Sequence, residues 1–332
     1  MRRFPIGIYA IDDAKHLSDL REHGFDTFYS GIREPEALDR LAIAAKRLGM
    51  GMIAQPDDVM KGPRTVTRDW PVAAWYLQDE PDVLKTKPKA LASLSDRTRR
   101  WDPDRLQTFA IGQGAPAQKY GHVADVLMLD WYPVPHLDLD SVAEHIDRAR
   151  SFLPEDKPLW MVVQAFDWRQ FPSRNSRKSR IGRFPNHSEI RFMSYLSIVH
   201  GARGLFYYTF RVRGGRVLSD TPEQWQAVTR VVHEIKSLQP ILERGREIPL
   251  PFQVKGKSLE GRALRHGGRD YVILLNRSKS PAPLPKEFLE SNWRPLFEVR
   301  RSPKDFLFET RGSWMLPPYR VIVFEGRWRL WR

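Results

Sequence analysis

The chain has 332 residues, 41% hydrophobic and 28% charged, which is a globular composition, and it has no cysteine, so disulfides, thiolate metal sites and cysteine nucleophiles are excluded. Lysine and arginine outnumber aspartate and glutamate by 54 to 40, a formal charge of +14. The cations are scattered except at 174–183 and 327–332, the pattern of a basic surface more than of a dedicated polyanion site.

From the N-terminus, short apolar runs alternate with amphipathic stretches. Residues 4–10 read as a strand, 12–23 as a helix capped by Asp12 or Asp13 and stopped by Gly24, and 26–31 as the second strand. A periodic helix at 34–48 ends at Gly49, and a third strand follows at 51–55. Strand four, 72–78, runs into Asp79-Glu80-Pro81, with a helix expected at 83–100. Strand five is 106–111, a Gly/Ala/Pro-rich connector covers 112–117, and strand six is 123–129. Then come a helix at 141–152, strand seven at 158–166, a helix at 188–200, strand eight at 204–210 and a helix at 222–238. Met1-Arg2-Arg3 has the charge of a signal-peptide start, but no apolar stretch follows and no run is long enough to span a bilayer. A cytoplasmic location is therefore favoured unless a leader precedes this sequence, and no membrane insertion is expected.

Eight alternations over about 240 residues predict an α/β fold, a (β/α)₈ TIM barrel. An open doubly wound sheet would show a Gly-rich phosphate loop after strand one, where the chain reads Tyr9-Ala10-Ile11-Asp12-Asp13. Beyond Pro240 the pattern changes to short alternating runs at 253–257, 260–265, 270–275, 297–299, 305–308 and 319–324, separated by turn signals such as Gly267-Gly268. The expected organisation is a barrel at 1–242 and a small C-terminal antiparallel β-domain, a β-sandwich, at 243–332.

Barrels of this kind place chemistry at the C-terminal strand ends. There strand four ends on Asp79 and Glu80, strand six on Asp130, Trp131 and Tyr132, strand seven on Gln164, Asp167 and Trp168, and strand eight on Tyr207, Tyr208 and Arg211. Carboxylates, aromatic rings and amides thus converge on one rim. Acetal cleavage needs one protonated and one ionised carboxyl, and aromatic faces hold sugar rings.

The segments Trp75-Tyr76-Leu77-Gln78-Asp79-Glu80-Pro81, Ala124-Asp125-Val126 through Asp130-Trp131-Tyr132-Pro133, and His200-Gly201-Ala202-Arg203-Gly204 through Tyr207-Tyr208 resemble a series found in TIM-barrel glycoside hydrolases. The resemblance covers most of the chain and is specific to that superfamily, not to a substrate. It implies that Glu80 is the acid/base residue at the end of strand four. The partner it implies at the end of strand seven is a glutamate, and here Gln164 stands in its place. Barrels that pair strands four and six point instead to Asp130, which shares strand parity with Val126, Met128 and Tyr132. Asp167 is the other candidate.

Glu80 and Asp130 are thus the expected catalytic pair. Glu80 is expected to be the acid, in an apolar setting of Trp75, Tyr76 and Pro81. Tyr9, Asp79, Tyr132, Gln164, Asp167, Trp168, Tyr208 and Arg211 are expected to bind substrate. Plainer roles compete. The acidic run at 79–82 would suit a helix cap, Asp130 a loop acceptor, Asp167 a cap or arginine partner, and Trp75 and Trp131 packing against helices. No H-x-H or H-E-x-x-H spacing occurs, so neither a metal nor another cofactor is expected. The function expected is glycoside hydrolysis of an oligo- or polysaccharide, with the arginines of 174–183 read equally as a lid or acidic-sugar subsite and as a solvated loop. The alternatives are a catalytically silent carbohydrate-binding barrel and a basic nucleic-acid-associated protein. The last lacks any nucleic-acid module, so no nucleic-acid partner is expected.

Overall fold

Because strands in a parallel barrel bury both faces, the eight apolar runs form its staves. In a computed structural model, residues 3–172, 177, 180–212, 215–252, 258–285, 293–297, 308–310 and 313–327 are described. Strands β1 (Ile6–Tyr9), β2 (Thr27–Ser30), β3 (Gly51–Ala54), β4 (Val72–Tyr76), β5 (Leu106–Ile111), β6 (Val126–Asp130), β7 (Leu159–Gln164) and β8 (Leu205–Tyr208) pair in sequence order, and β8 closes on β1. Alternate residues point inward: Tyr9, Ile53, Tyr76, Ala110, Met128, Trp160, Val162 and Phe206 share an interior cluster. Their neighbours, such as Ile8, Trp75, Leu127, Met161 and Tyr207, join the larger core under the helices. Gly7 is required by this packing, since a Cβ there would meet the Phe206 ring at 2.2 Å.

The surrounding helices are α1 (Leu17–Glu22), α2 (Pro35–Arg47), α3 (Pro88–Trp101), α4 (Ala117–Tyr120), α5 (Ser141–Arg150), α6 (His187–Val199) and α7 (Pro222–Arg244). Three differ from expectation. The stretch expected as a helix from 83 starts at Pro88, because Lys85 adopts φ +57° and breaks the run, while Pro88 presets the first turn. The one-turn α4 lies at the end of the Gly/Ala/Pro-rich connector. The last helix passes through Pro240 to Arg244, since Gln239 and Ile241 on either side of the proline stay buried. Among the described residues no helix is long and apolar enough to cross a membrane.

The C-terminal part holds β9 (Arg246–Ile248), β10 (Leu259–His266), β11 (Arg269–Asn276), β12 (Ala282–Pro283), β13 (Arg294–Pro295), β14 (Phe308–Thr310), β15 (Ser313–Leu316) and β16 (Val321–Gly326). They form an antiparallel five-stranded sheet, in the order β13-β16-β11-β10-β9, and a three-stranded sheet, β12-β15-β14. Expected strands at 260–265 and 270–275 fall within β10 and β11. The run expected at 253–257 lies outside the described residues, as do most of 297–299 and 305–308. Strand 319–324 begins two residues late because Tyr319 sits at φ +52° in a turn. The large sheet is buried on both faces with period two: Val272, Leu274, Ile322 and Phe324 face the small sheet, and Ile273, Leu275, Val321 and Val323 join the barrel core.

Charged contacts hold this sheet to the barrel. His200, at the end of α6, is wedged between Asp147 of α5 (2.6 Å) and Glu260 of β10 (3.1 Å). Arg277 joins Glu260 (2.8 Å) to Asp140 (2.7 Å). Burial disfavours the charged imidazole, but hydrogen bonds to Asp147 and Glu260 overcome it and hold the His200 pKa up at about 9. An unfolded histidine titrates near about 6.5, so this contribution is complete below that pH and is lost as pH rises through 9. Urea midpoints are therefore expected to fall between pH 6.5 and 10 in the wild type and to fall less in His200→Gln. Equal pH slopes in the two proteins would remove the charged wedge.

Candidate active site

Beyond β4 the chain turns sharply at Asp79-Glu80-Pro81. Glu80 takes φ +41°, a left-handed conformation that costs a non-glycine residue about 1–3 kcal/mol. The turn is held by Leu84 N–H donating to Glu80 O (2.9 Å), Thr86 N–H to Pro81 O (2.8 Å) and Tyr120 O–H to Thr86 O (2.7 Å). The Asp82 carboxylate accepts from Gly112 N–H at the end of β5 (3.2 Å). The acidic run caps no helix, since α3 begins at Pro88 with Lys87 before it.

Asp130 ends β6 pointing into the barrel. It is 7% exposed; Oδ2 accepts from Tyr132 O–H (3.3 Å), and Oδ1 has no hydrogen-bond partner among the described residues. Burial first, then the charges of Glu80, Asp79 and Asp82, push its pKa well above the usual carboxylate range, so the neutral acid is favoured. Glu80 is half-buried. The two carboxyls meet at Gly112: a Cβ built there would stand 3.5 Å from Glu80 Oε1 and 3.8 Å from Asp130 Oδ1, with Val83 Cγ2 at 3.0 Å. Those two oxygens are therefore within about 7 Å of each other, a span compatible with carboxyl pairs that act on one bond.

Aromatic rings line the same mouth. Tyr132 and Tyr208 stack with centroids 5.6 Å apart and planes 27° off parallel, and Phe166 meets both edge-on. Trp168 continues the row 5.0 Å from Phe166. Below them lie Tyr9, Tyr29 and Tyr76, with Tyr9–Tyr29 at 4.8 Å and Tyr29–Tyr76 at 4.7 Å. Tyr76 O–H donates to Asp79 Oδ1 (2.7 Å) and Gln55 Nε2 to Tyr29 Oη (3.2 Å). Burial, followed by the Asp79 carboxylate and neighbouring phenols, holds Tyr9, Tyr29 and Tyr76 above the ordinary phenol range, which keeps their hydroxyls as neutral donors.

The structure thus brings together Glu80, Asp130, Asp79, Tyr132, Trp168 and Tyr208. Four expected substrate-binding residues are placed otherwise. Tyr9 is 4% exposed and lies under the mouth, its hydroxyl on Met128 Sδ (3.4 Å). Gln164 is fully buried and its amide clamps the loop after β6, accepting from Val134 N–H (2.9 Å) and donating to Val134 O (2.8 Å) and Phe166 O (3.2 Å). Asp167 is 3% exposed and caps the short helix Trp168–Gln170, accepting from Arg169 N–H (2.8 Å) and Arg169 Nε (2.7 Å). Arg211 is exposed and ion-paired with Asp12.

The apolar setting expected around Glu80 is also corrected. Trp75 faces outward and donates its indole N–H to Asp102 (3.0 Å), while Ala74 and Tyr76 on either side of it face the barrel interior. Trp131 stacks on His145 (3.7 Å) outside the mouth. Of the basic segment, Arg174 lies outside the described residues, and Arg183 is engaged by Glu189 (2.7 Å). Sequence reading missed Tyr29, Asp82 and Gly112. Counting alternation in β2 from its buried ends would have found Tyr29 beside Tyr9. Gly112 had no signal beyond its place after an apolar strand. Among the described residues no group of three histidine or acidic side chains is arranged to hold a metal ion.

No family model matches the chain, and no curated protein matches it. Solved structures do. Amy13B of Eubacterium rectale superposes with a TM-score of 0.61 at 8% identity, covering 100% of this chain and 97% of that one. An α-amylase from Geobacillus thermoleovorans complexed with acarbose gives 0.58 at 11%, covering 98% of each chain. A GH30 endoxylanase from Clostridium papyrosolvens C71 gives 0.55 at 11%, covering 98% and 96%. At such identities the likeness shows a shared fold, a TIM barrel closed by a C-terminal β-domain, over nearly the whole length.

Proposed function

We propose that the protein hydrolyses a glycosidic bond in an oligo- or polysaccharide, with Asp130 as proton donor and Glu80 as its ionised partner. The observation that carries this reading is the approach of two carboxyls beside Gly112, one that burial pushes toward its neutral form and a second, half-buried one. A substrate oxygen brought against Asp130 takes its proton as the C–O bond breaks. Glu80 either attacks the anomeric carbon, giving a glycosyl ester that water, deprotonated by the Asp130 carboxylate, then cleaves, or takes a proton from a water that attacks directly, after which solvent exchanges the protons back. Tyr132 O–H stabilises the Asp130 anion that proton transfer leaves behind. The stacked Tyr132 and Tyr208 offer ring faces to a sugar, and Tyr76 fixes the orientation of Asp79. Glycosidase folds among the structural neighbours agree with this chemistry. These roles invert the expected order, in which Glu80 was the acid, because the apolar burial falls on Asp130.

The test is release of reducing ends from a panel of soluble glycans, followed against pH. Since Asp130 acts as the protonated acid, turnover is expected to fall as pH rises through its raised pKa. The Tyr132 hydrogen bond favours the charged form, so Tyr132→Phe is expected to move this alkaline limb to higher pH. A limb that stays in place or moves down counts against Asp130 as donor. Gln164, at the place of the partner glutamate, favours one rival: binding of glycans with no release of reducing ends.

A further inference from the structure

Outside the catalytic gap, the described surface carries a cavity of about 600 Å³ between the loop after β6, the start of α6 and the β-domain. We infer that this cavity is an extended sugar-binding subsite, so that the preferred substrate is a chain of several units and the β-domain supplies one wall of its groove. The inference rests on the glycosidase reading above and adds the substrate class.

Three observations support it. The cavity opens on the catalytic face, since His136 and Asp138 follow β6 and Ser188 and Glu189 follow β7. A row of rings joins it to the mouth: Tyr208 stacks on Tyr132, Tyr132 lies 6.3 Å from Trp168, and Trp168 lies 6.4 Å from His136, which lines the cavity. Such faces carry successive sugar rings from the scissile bond outward. Finally, the walls carry polar and charged groups of both signs. Lys279 pairs with Asp138 (2.6 Å), Arg183 pairs with Glu189 (2.7 Å), and Arg320 donates to Ser188 Oγ (3.3 Å). Tyr319, at φ +52°, directs its hydroxyl to Asp138 as well. Such walls offer lone pairs and N–H groups to sugar hydroxyls.

A short aryl glycoside confined to the mouth does not reach this cavity, whereas a chain of several units does. The experiment compares kcat/KM for aryl glycosides and for six- or seven-unit oligosaccharides of the same sugar, with maltose- and xylose-based series as the first probes. Two full-length variants are used: Lys279→Ala/Arg320→Ala, which strips the wall, and Ser188→Trp, which fills the cavity. Both changes lie on half-buried or exposed positions, and thermal melts confirm folding. The long-to-short ratio of kcat/KM is expected to fall at least about fivefold in Ser188→Trp, and in the same direction in the double variant. Wild-type cleavage with an unchanged ratio in Ser188→Trp overturns the subsite and leaves the glycosidase reading standing. Absence of cleavage of every glycan by the wild type overturns the glycosidase reading, and the subsite with it.

Discussion

Asp130→Asn is expected to lower turnover of unactivated glycosides by a factor on the order of 10²–10⁴, the usual contribution of a positioned general acid. Asparagine copies the shape and neutrality of the protonated acid, so a buried site that already favours the uncharged form is expected to hold it without loss of fold. The proton is needed only by a poor leaving group. Glycosides with an acidic phenol as leaving group are therefore expected to regain much of their rate in Asp130→Asn. Glu80→Gln is expected to be equally slow with both kinds of substrate, because it removes the attacking or water-activating carboxylate. Gly112→Ala supplies a geometric control. Its methyl would occupy the gap 3.5 Å from Glu80 Oε1 and 3.8 Å from Asp130 Oδ1, with Val83 yielding slightly, and activity is expected to fall with both carboxyls intact. Near-normal turnover in Asp130→Asn on unactivated substrates ends the assignment of this pair.

Asp26→Ala is expected to destabilise the fold by about 1–3 kcal/mol, the cost of leaving the buried hydrogen-bond donors around it without an acceptor. Asp26 is 3% exposed where the first and last barrel elements meet. Its Oδ1 accepts from Ile6 N–H (3.1 Å) and Thr27 Oγ1 (2.9 Å), and its Oδ2 from Lys236 Nζ (3.1 Å) and Gln239 Nε2 (2.6 Å). One carboxylate thus ties β1 and β2 to α7 across the closure seam. Removal leaves Lys236 without its charge partner and Gln239 short of an acceptor. Chemical unfolding of the two proteins measures the difference, and a loss below about 1 kcal/mol would mean that water replaces the carboxylate.

The barrel was legible because its signal is redundant. Every strand is a short apolar run, so errors of up to three residues at strand ends and up to six at helix ends left the topology unchanged. The β-domain was less so. Ala282–Pro283 and Arg294–Pro295 are two-residue strands whose partners, not their own composition, make them strands. At the site, parity within β6 correctly set Asp130 beside Tyr132 and under the same mouth. For Trp75 two roles stood open, a setting for Glu80 and packing against the helices, and the structure has the second. The fates of Gln164 and Asp167 depend on where the loops after β6 and β7 fold back. Loop backbones that claim a side chain leave no trace in the periodicity of the strands before them.

The sheet that is apolar on both sides has a bearing on how the chain is made. Val321 and Val323 of β16, which cover the barrel beside α6 and α7, emerge from the ribosome some fifty residues after Ile273 and Leu275 of β11. Until β16 inserts between β11 and β13, the flank of the barrel that this sheet covers stands open to water and to other nascent chains. Insertion of β16, rather than completion of the eighth stave, is then the moment at which this flank becomes safe from aggregation. A gene truncated after α7 would encode a closed barrel with an adhesive side, and shuffling this β-domain between barrels would require exchanging the outer faces of α6 and α7 with it.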